Sequence, residues 1–111
     1  MAQEAKIEKY LCDRVKMLGG EVRKVKWIGR RGAPDRLVML PEIVGRFDWD
    51  TVPGQTIWVE LKAPGKTPEP HQAREHKRMR DMGQRVEVID SMEGVDTLQK
   101  GYQIWSPKWR P

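Results

Sequence analysis

The sequence predicts an α/β domain: a single mixed β-sheet flanked by helices, with elements in the order helix, strand, strand, strand, helix, strand, helix. Three observations lead to this. Ile7, Leu11, Val15 and Leu18 recur at helical spacing near the start. Short apolar, β-branched runs at Arg36–Leu40, Thr56–Leu61 and Arg85–Asp90 are separated by proline and glycine. A second helical stretch, from Thr67 or Pro68 to Met82, lies between the last two of these runs.

Taken in order, residues 3–18 form the first helix, and Gly19-Gly20 ends it, as glycine past a helix C-terminus does. Glu21–Trp27 is the first strand, with Val25 and Trp27 alternating and Val22 out of phase. Gly29-Arg30-Arg31-Gly32 is a flexible basic loop, and Arg36–Leu40 is the second strand, stopped by Pro41. Residues 41–55 hold Pro41, Gly45, Pro53 and Gly54 around Phe47 and Trp49, and read as a long hairpin connection. Thr56–Leu61 is apolar on both faces, which predicts a central strand. A loop with three prolines follows, and a second helix runs from Thr67 or Pro68 to Met82, capped by Gly83. Arg85–Asp90 is the fourth strand, Asp90 or Ser91 caps a third helix through Leu98, and an irregular tail with Trp105 and Trp109 begins at Gly101.

The 111 residues suit one domain spanning 1–111, with its core at about 4–95 and a tail at 101–111. Cys12 is the only cysteine, which excludes an intrachain disulfide and fits a reducing compartment. There is no long apolar run and no signal-like N-terminus, so a soluble protein of the cytoplasm is expected. The net charge of +5 is uneven. Residues 1–31 carry nine Lys/Arg against four Asp/Glu, residues 62–85 seven against three, and residues 32–61 two against five. The basic segments fit a nucleic-acid partner through phosphate neutralisation, or a solvated surface kept for solubility.

The acidic segment holds Pro34-Asp35 and Glu60-Leu61-Lys62. If the second and third strands pair as a hairpin, Asp35 meets Glu60 at one end of the sheet. Glu60 and Lys62, two apart, share a face. Two carboxylates with a backbone carbonyl make a hard-cation site suited to Mg²⁺ or Mn²⁺. Such an ion activates water and a scissile phosphate, and Lys62 could orient that water or offset developing charge. The bland alternative is a turn-capping Asp35 and an exposed Glu60–Lys62 pair, worth roughly 0–1 kcal/mol. Glu4 and Glu8 on the first helix are candidates for a third carboxylate. His71 and His76 are five apart, which is not zinc-pair spacing. Arg74, Lys77, Arg78 and Arg80 either line a duplex or form a solvated face.

Pro34-Asp35, Glu60-Leu61-Lys62 and Gln72 together resemble the PD-(D/E)XK nuclease superfamily, and within it the VRR-NUC domain. Ile7-Glu8, Gly19-Gly20, the 29–36 loop, Ala63-Pro64-Gly65-Lys66 and Gly83 extend the likeness over roughly residues 4–95. The resemblance implies an αβββαβ restriction-endonuclease-like core. It implies that Glu8, Asp35, Glu60 and the Leu61 carbonyl bind metal, that Lys62 is catalytic, and that Gln72 places water or phosphate. Without it, Gln72 is equally a helix-surface residue. Arg30, Arg31, Lys66, Arg74 and Lys77 become the expected DNA contacts. Small family members further imply a homodimer, a structure-selective endonuclease resembling Holliday-junction resolvases, and a phage origin with action in the host cytoplasm. A non-catalytic nucleic-acid-binding module of the same fold and a sequence-specific restriction-type enzyme are the alternatives. The 41–55 connection and the tail depart from the family pattern, and serve dimerisation, substrate recognition or neither.

Overall fold

The computed structural model describes the backbone of residues 2–104 and the side chains of residues 3–98. Four strands form one mixed sheet in spatial order β1-β2-β3-β4. These are β1 (Glu21–Lys24), β2 (Arg36–Leu40), β3 (Gln55–Leu61) and β4 (Val86–Ile89). β1–β2 and β2–β3 are antiparallel, whereas β3–β4 is parallel. The parallel step is made through α2 (Pro70–Asp81), while α1 (Ala2–Met17) precedes the sheet and α3 (Met92–Ile104) follows it.

β2 and β3 are the inner strands, as the apolar character of Thr56–Leu61 predicted. Their alternation sends Val38, Leu40, Ile57, Val59 and Leu61 to one face, where Ile7, Leu11 and Val15 of α1 and Val95 and Leu98 of α3 cover them. The Tyr10 hydroxyl donates to Asp96 at 2.6 Å, tying α1 to α3. α2 packs on the opposite face against β4, burying Met79 and His76. Arg80 donates twice to the Val86 carbonyl, at 3.1 and 2.8 Å, so it fastens α2 to β4 rather than facing a ligand.

Three boundaries differ from the sequence expectation by more than one residue. β1 ends at Lys24, not Trp27. Val25 still donates to the Asp35 carbonyl at 2.9 Å, but the residue before Asp35 is Pro34, which has no N–H to carry the ladder on. Trp27 instead donates from Nε1 to the Pro34 carbonyl at 2.8 Å and leans on Trp58, with centroids 5.1 Å apart. α2 starts at Pro70, later than Thr67 or Pro68. A residue before proline is driven out of the helical region, and Glu69 accordingly sits at φ −63°, ψ 156° as the N-cap. α3 continues through Gly101 to Ile104. A glycine inside a helix costs only about 1 kcal/mol, so Gly101 does not end it. Trp105 and Trp109 lie outside the described residues.

The 41–55 connection is more ordered than a loop. Ile43 and Val52 exchange backbone hydrogen bonds of 2.8 and 2.9 Å, and a 3₁₀ turn spans Asp48–Asp50. The Asp50 carboxylate accepts from the Phe47 and Arg46 amides at 2.7 and 3.2 Å. Phe47 and Trp49 stack with centroids 5.5 Å apart on its exposed side. Val52 is buried in the core.

Candidate active site

The β2–β3 register pairs Arg36 with Val59 and therefore brings Asp35 into line with Glu60. Asp35 is pinned through the bond from Val25 to its carbonyl, and its side chain is 59% exposed. Glu60 is buried. Burial pushes its carboxyl up to about 7; Asp35 and Glu4 push the same way, and Lys62 and Arg36 oppose them. Four charged groups therefore bear on Glu60 at the end of the sheet.

Strand alternation puts Arg36 and Leu61 on the α1 side of the sheet and Asp35 and Glu60 on the α2 side. On the α1 side, Arg36 binds the Glu8 carboxylate, with Nε to Oε2 at 2.6 Å. Its other arm reaches round the sheet end to Asp35, with Nη1 2.8 Å from Oδ1. Glu8, Arg36, Leu61, Glu4 and Ala5 line a cleft of about 230 Å³. Among the described residues no three His, Cys, Asp or Glu side chains gather closely enough to form a ready metal cage. Arg36 explains this: its guanidinium stands between Glu8 and Asp35.

On the α2 side, Lys62 donates from Nζ to Gln72 Oε1 at 2.7 Å. The same oxygen accepts from the Glu69 amide at 2.8 Å, so one side chain caps the helix and holds the lysine. One turn later, His76 is 1% exposed with Nε2 3.5 Å from Glu60 Oε1. Burial, then Arg80 and Lys62, push its pKa down, favouring neutral imidazole.

The structure thus gathers Asp35, Glu60, Leu61, Lys62 and Gln72 at one sheet end, with Glu8 joined to them through Arg36. The basic residues flank that end. Gly32, at φ +87°, lies so close to α2 that a Cβ would meet the His71 carbonyl at 2.9 Å. This close approach seats the loop bearing Arg30 and exposed Arg31 on the start of α2. Arg30 reaches Glu75 at 3.4 Å. Lys66 is exposed on the turn after Lys62, Arg74 is exposed on α2, and Lys77 pairs with Asp81 at 2.8 Å. Sequence reasoning missed Arg36, Glu75 and the placement of His76. The i, i+4, i+7 spacing of Gln72, His76 and Met79 was the available signal for His76.

No family model matches the chain. A curated relative, "Putative nuclease p44" of Acyrthosiphon pisum secondary endosymbiont phage 1, is 43% identical over 93 residues, covering 84% of this chain and 88% of the relative. A solved structure described as "VRR_NUC domain" is 42% identical, covers 90% of this chain and 97% of its own, and superposes with a TM-score of 0.72.

Proposed function

Because the chain belongs to the VRR-NUC domain family and is similar to a phage protein named as a nuclease, we propose that it hydrolyses phosphodiester bonds in DNA with a divalent metal ion. The observation that carries this reading is the meeting of Asp35, Glu60 and the Lys62–Gln72 pair at one end of the sheet, between basic segments.

The acids fit a hard cation such as Mg²⁺ or Mn²⁺ in kind. All the side-chain donors are carboxylate oxygens, Asp35 and Glu4 destabilise charge on Glu60, and Glu8 and Asp35 already hold a guanidinium between them. Asp35, Glu60 and the Leu61 carbonyl would hold the ion, with Glu8 entering from α1. When bound, the ion polarises the scissile phosphate and makes water a better nucleophile. Lys62, held by Gln72, presents an ammonium to the attacking water and to the charge that builds on the phosphate. Arg30, Arg31, Lys66, Arg74 and Lys77 address the backbone on either side. Phosphate contacts position a duplex without reading its bases, which supports selection by DNA shape. Holliday-junction-like cleavage by a homodimer is the finer form of this reading, with the two sites related by a two-fold axis.

The test is incubation with labelled four-way junction, flap, duplex and single strand in Mg²⁺, Mn²⁺ or EDTA. Metal-dependent cutting is expected, with the junction or flap preferred to linear duplex. Asp35→Ala and Lys62→Ala should each lose at least about 100-fold in rate while retaining binding. No cutting of any substrate in either metal would overturn the reading, and a variant that cuts like the parent would overturn the role of that residue.

A further inference from the structure

We propose that His76 is a positioning residue for Glu60, its imidazole N–H supporting one carboxylate oxygen and so fixing the direction in which the other faces a cation. The inference rests on the metal-dependent reading above.

His76 Nε2 is buried and has no hydrogen-bond partner. A buried polar atom left unmatched is costly and needs a reason. The Glu60 carboxylate supplies one, since Oε1 stands 3.5 Å away. An ordinary N–H···O contact runs to about 3.2 Å, so the pair sits just outside bonding distance. A small rotation of either side chain closes it.

The surroundings leave few other uses for the ring. His76 lies one turn beyond Gln72 and one before buried Met79, on the inward stripe of α2. At 1% exposure its side chain cannot reach DNA or bulk solvent. α2 is thereby the wall behind both working groups: Gln72 holds Lys62, and His76 backs Glu60. A carboxylate that must offer one oxygen in a set direction benefits from a donor on the other. Loss of such supporting partners lowers metal affinity about 10–100-fold in well-described sites.

The experiment is calorimetric titration of Mn²⁺ into the full chain without DNA, for the parent, Glu60→Gln, His76→Leu, His76→Asn and His76→Gln, with melting curves in EDTA as a folding control. Glutamine keeps an N–H donor near the position of Nε2; asparagine is too short to reach, and leucine has no donor. His76→Leu and His76→Asn should weaken Mn²⁺ binding about 10–100-fold, while His76→Gln stays within a few-fold of the parent. If leucine prevents folding, the asparagine–glutamine contrast carries the test. Parent-like affinity in the leucine or asparagine variant would overturn the proposal. So would equal losses in asparagine and glutamine, which would mark His76 as packing. Absent binding by the parent, or undiminished binding by Glu60→Gln, would overturn the metal reading and the role of His76 with it.

Discussion

Glu60 sets stability against the proposed chemistry in one side chain. Its carboxyl is raised from 4.5 to about 7, chiefly by burial. The folded protein therefore binds this proton more tightly than the unfolded chain does. The stability that Glu60 contributes without metal is greatest below about pH 4.5, falls as pH rises toward 7, and levels off above it. The loss is on the order of 3 kcal/mol. Glu60→Gln removes the charge that causes it. In EDTA at pH 8 the variant is expected to be more stable than the parent by about that amount, and at pH 4 to match it, while cleavage is lost. Urea unfolding at the two pH values checks this; an equal difference at both would disprove the account. Asp35, Glu60 and Lys62 were legible because strand periodicity and chain order alone bring them together. Arg36 was not, because its reach past the strand end depends on where α1 lies, and nothing local in the sequence reports that.

The ends of the helices separate two uses of glycine that look alike in the sequence. Gly19-Gly20 and Gly83 all read as helix stops. Gly83, at φ +86°, has nothing within 4 Å of a would-be Cβ, so its role is conformational. Gly20 is a matter of space: a Cβ there would lie 2.2 Å from the Met39 carbonyl, where α1 turns into the sheet. Gly83→Ala should cost about 1 kcal/mol through left-handed strain, and Gly20→Ala at least about 2 kcal/mol because backbone must shift. Chemical denaturation of both variants measures the contrast, and equal losses would refute it. The elements themselves were legible in order and type, since each rests on periodicity and a breaker. Their ends were less so, because β1 stops where its partner strand meets Pro34 and α2 starts where Pro70 constrains Glu69, both effects of a neighbour rather than of the segment's own residues.

Across the whole molecule, the candidate site lies in an acidic middle segment between basic ones, so the proposed function makes affinity and chemistry separable. Binding to a labelled duplex in EDTA should weaken steeply between roughly 50 and 200 mM salt. Arg30→Ala with Arg31→Ala should lower the slope of log affinity against log salt by about two. The Arg30 share will be smaller if its pairing with Glu75 persists on the complex. Fluorescence anisotropy across a salt series checks this, and an unchanged slope would remove the 29–32 loop from the interface. No described helix is long and apolar enough to cross a membrane.

The hairpin connection has one more consequence. It joins β2 to β3 at the end of the sheet away from Asp35 and Glu60, and the register of those strands is what aligns the two acids. A chain divided within that connection would leave Glu8, Asp35 and Arg36 on one fragment and Glu60, Lys62, Gln72 and His76 on the other. Each half would also lack part of the core, since α1 covers a face that β3 completes. The molecule is in this sense a two-key lock: neither half holds all the residues of the candidate site, and only the zipping of β2 onto β3 brings them together.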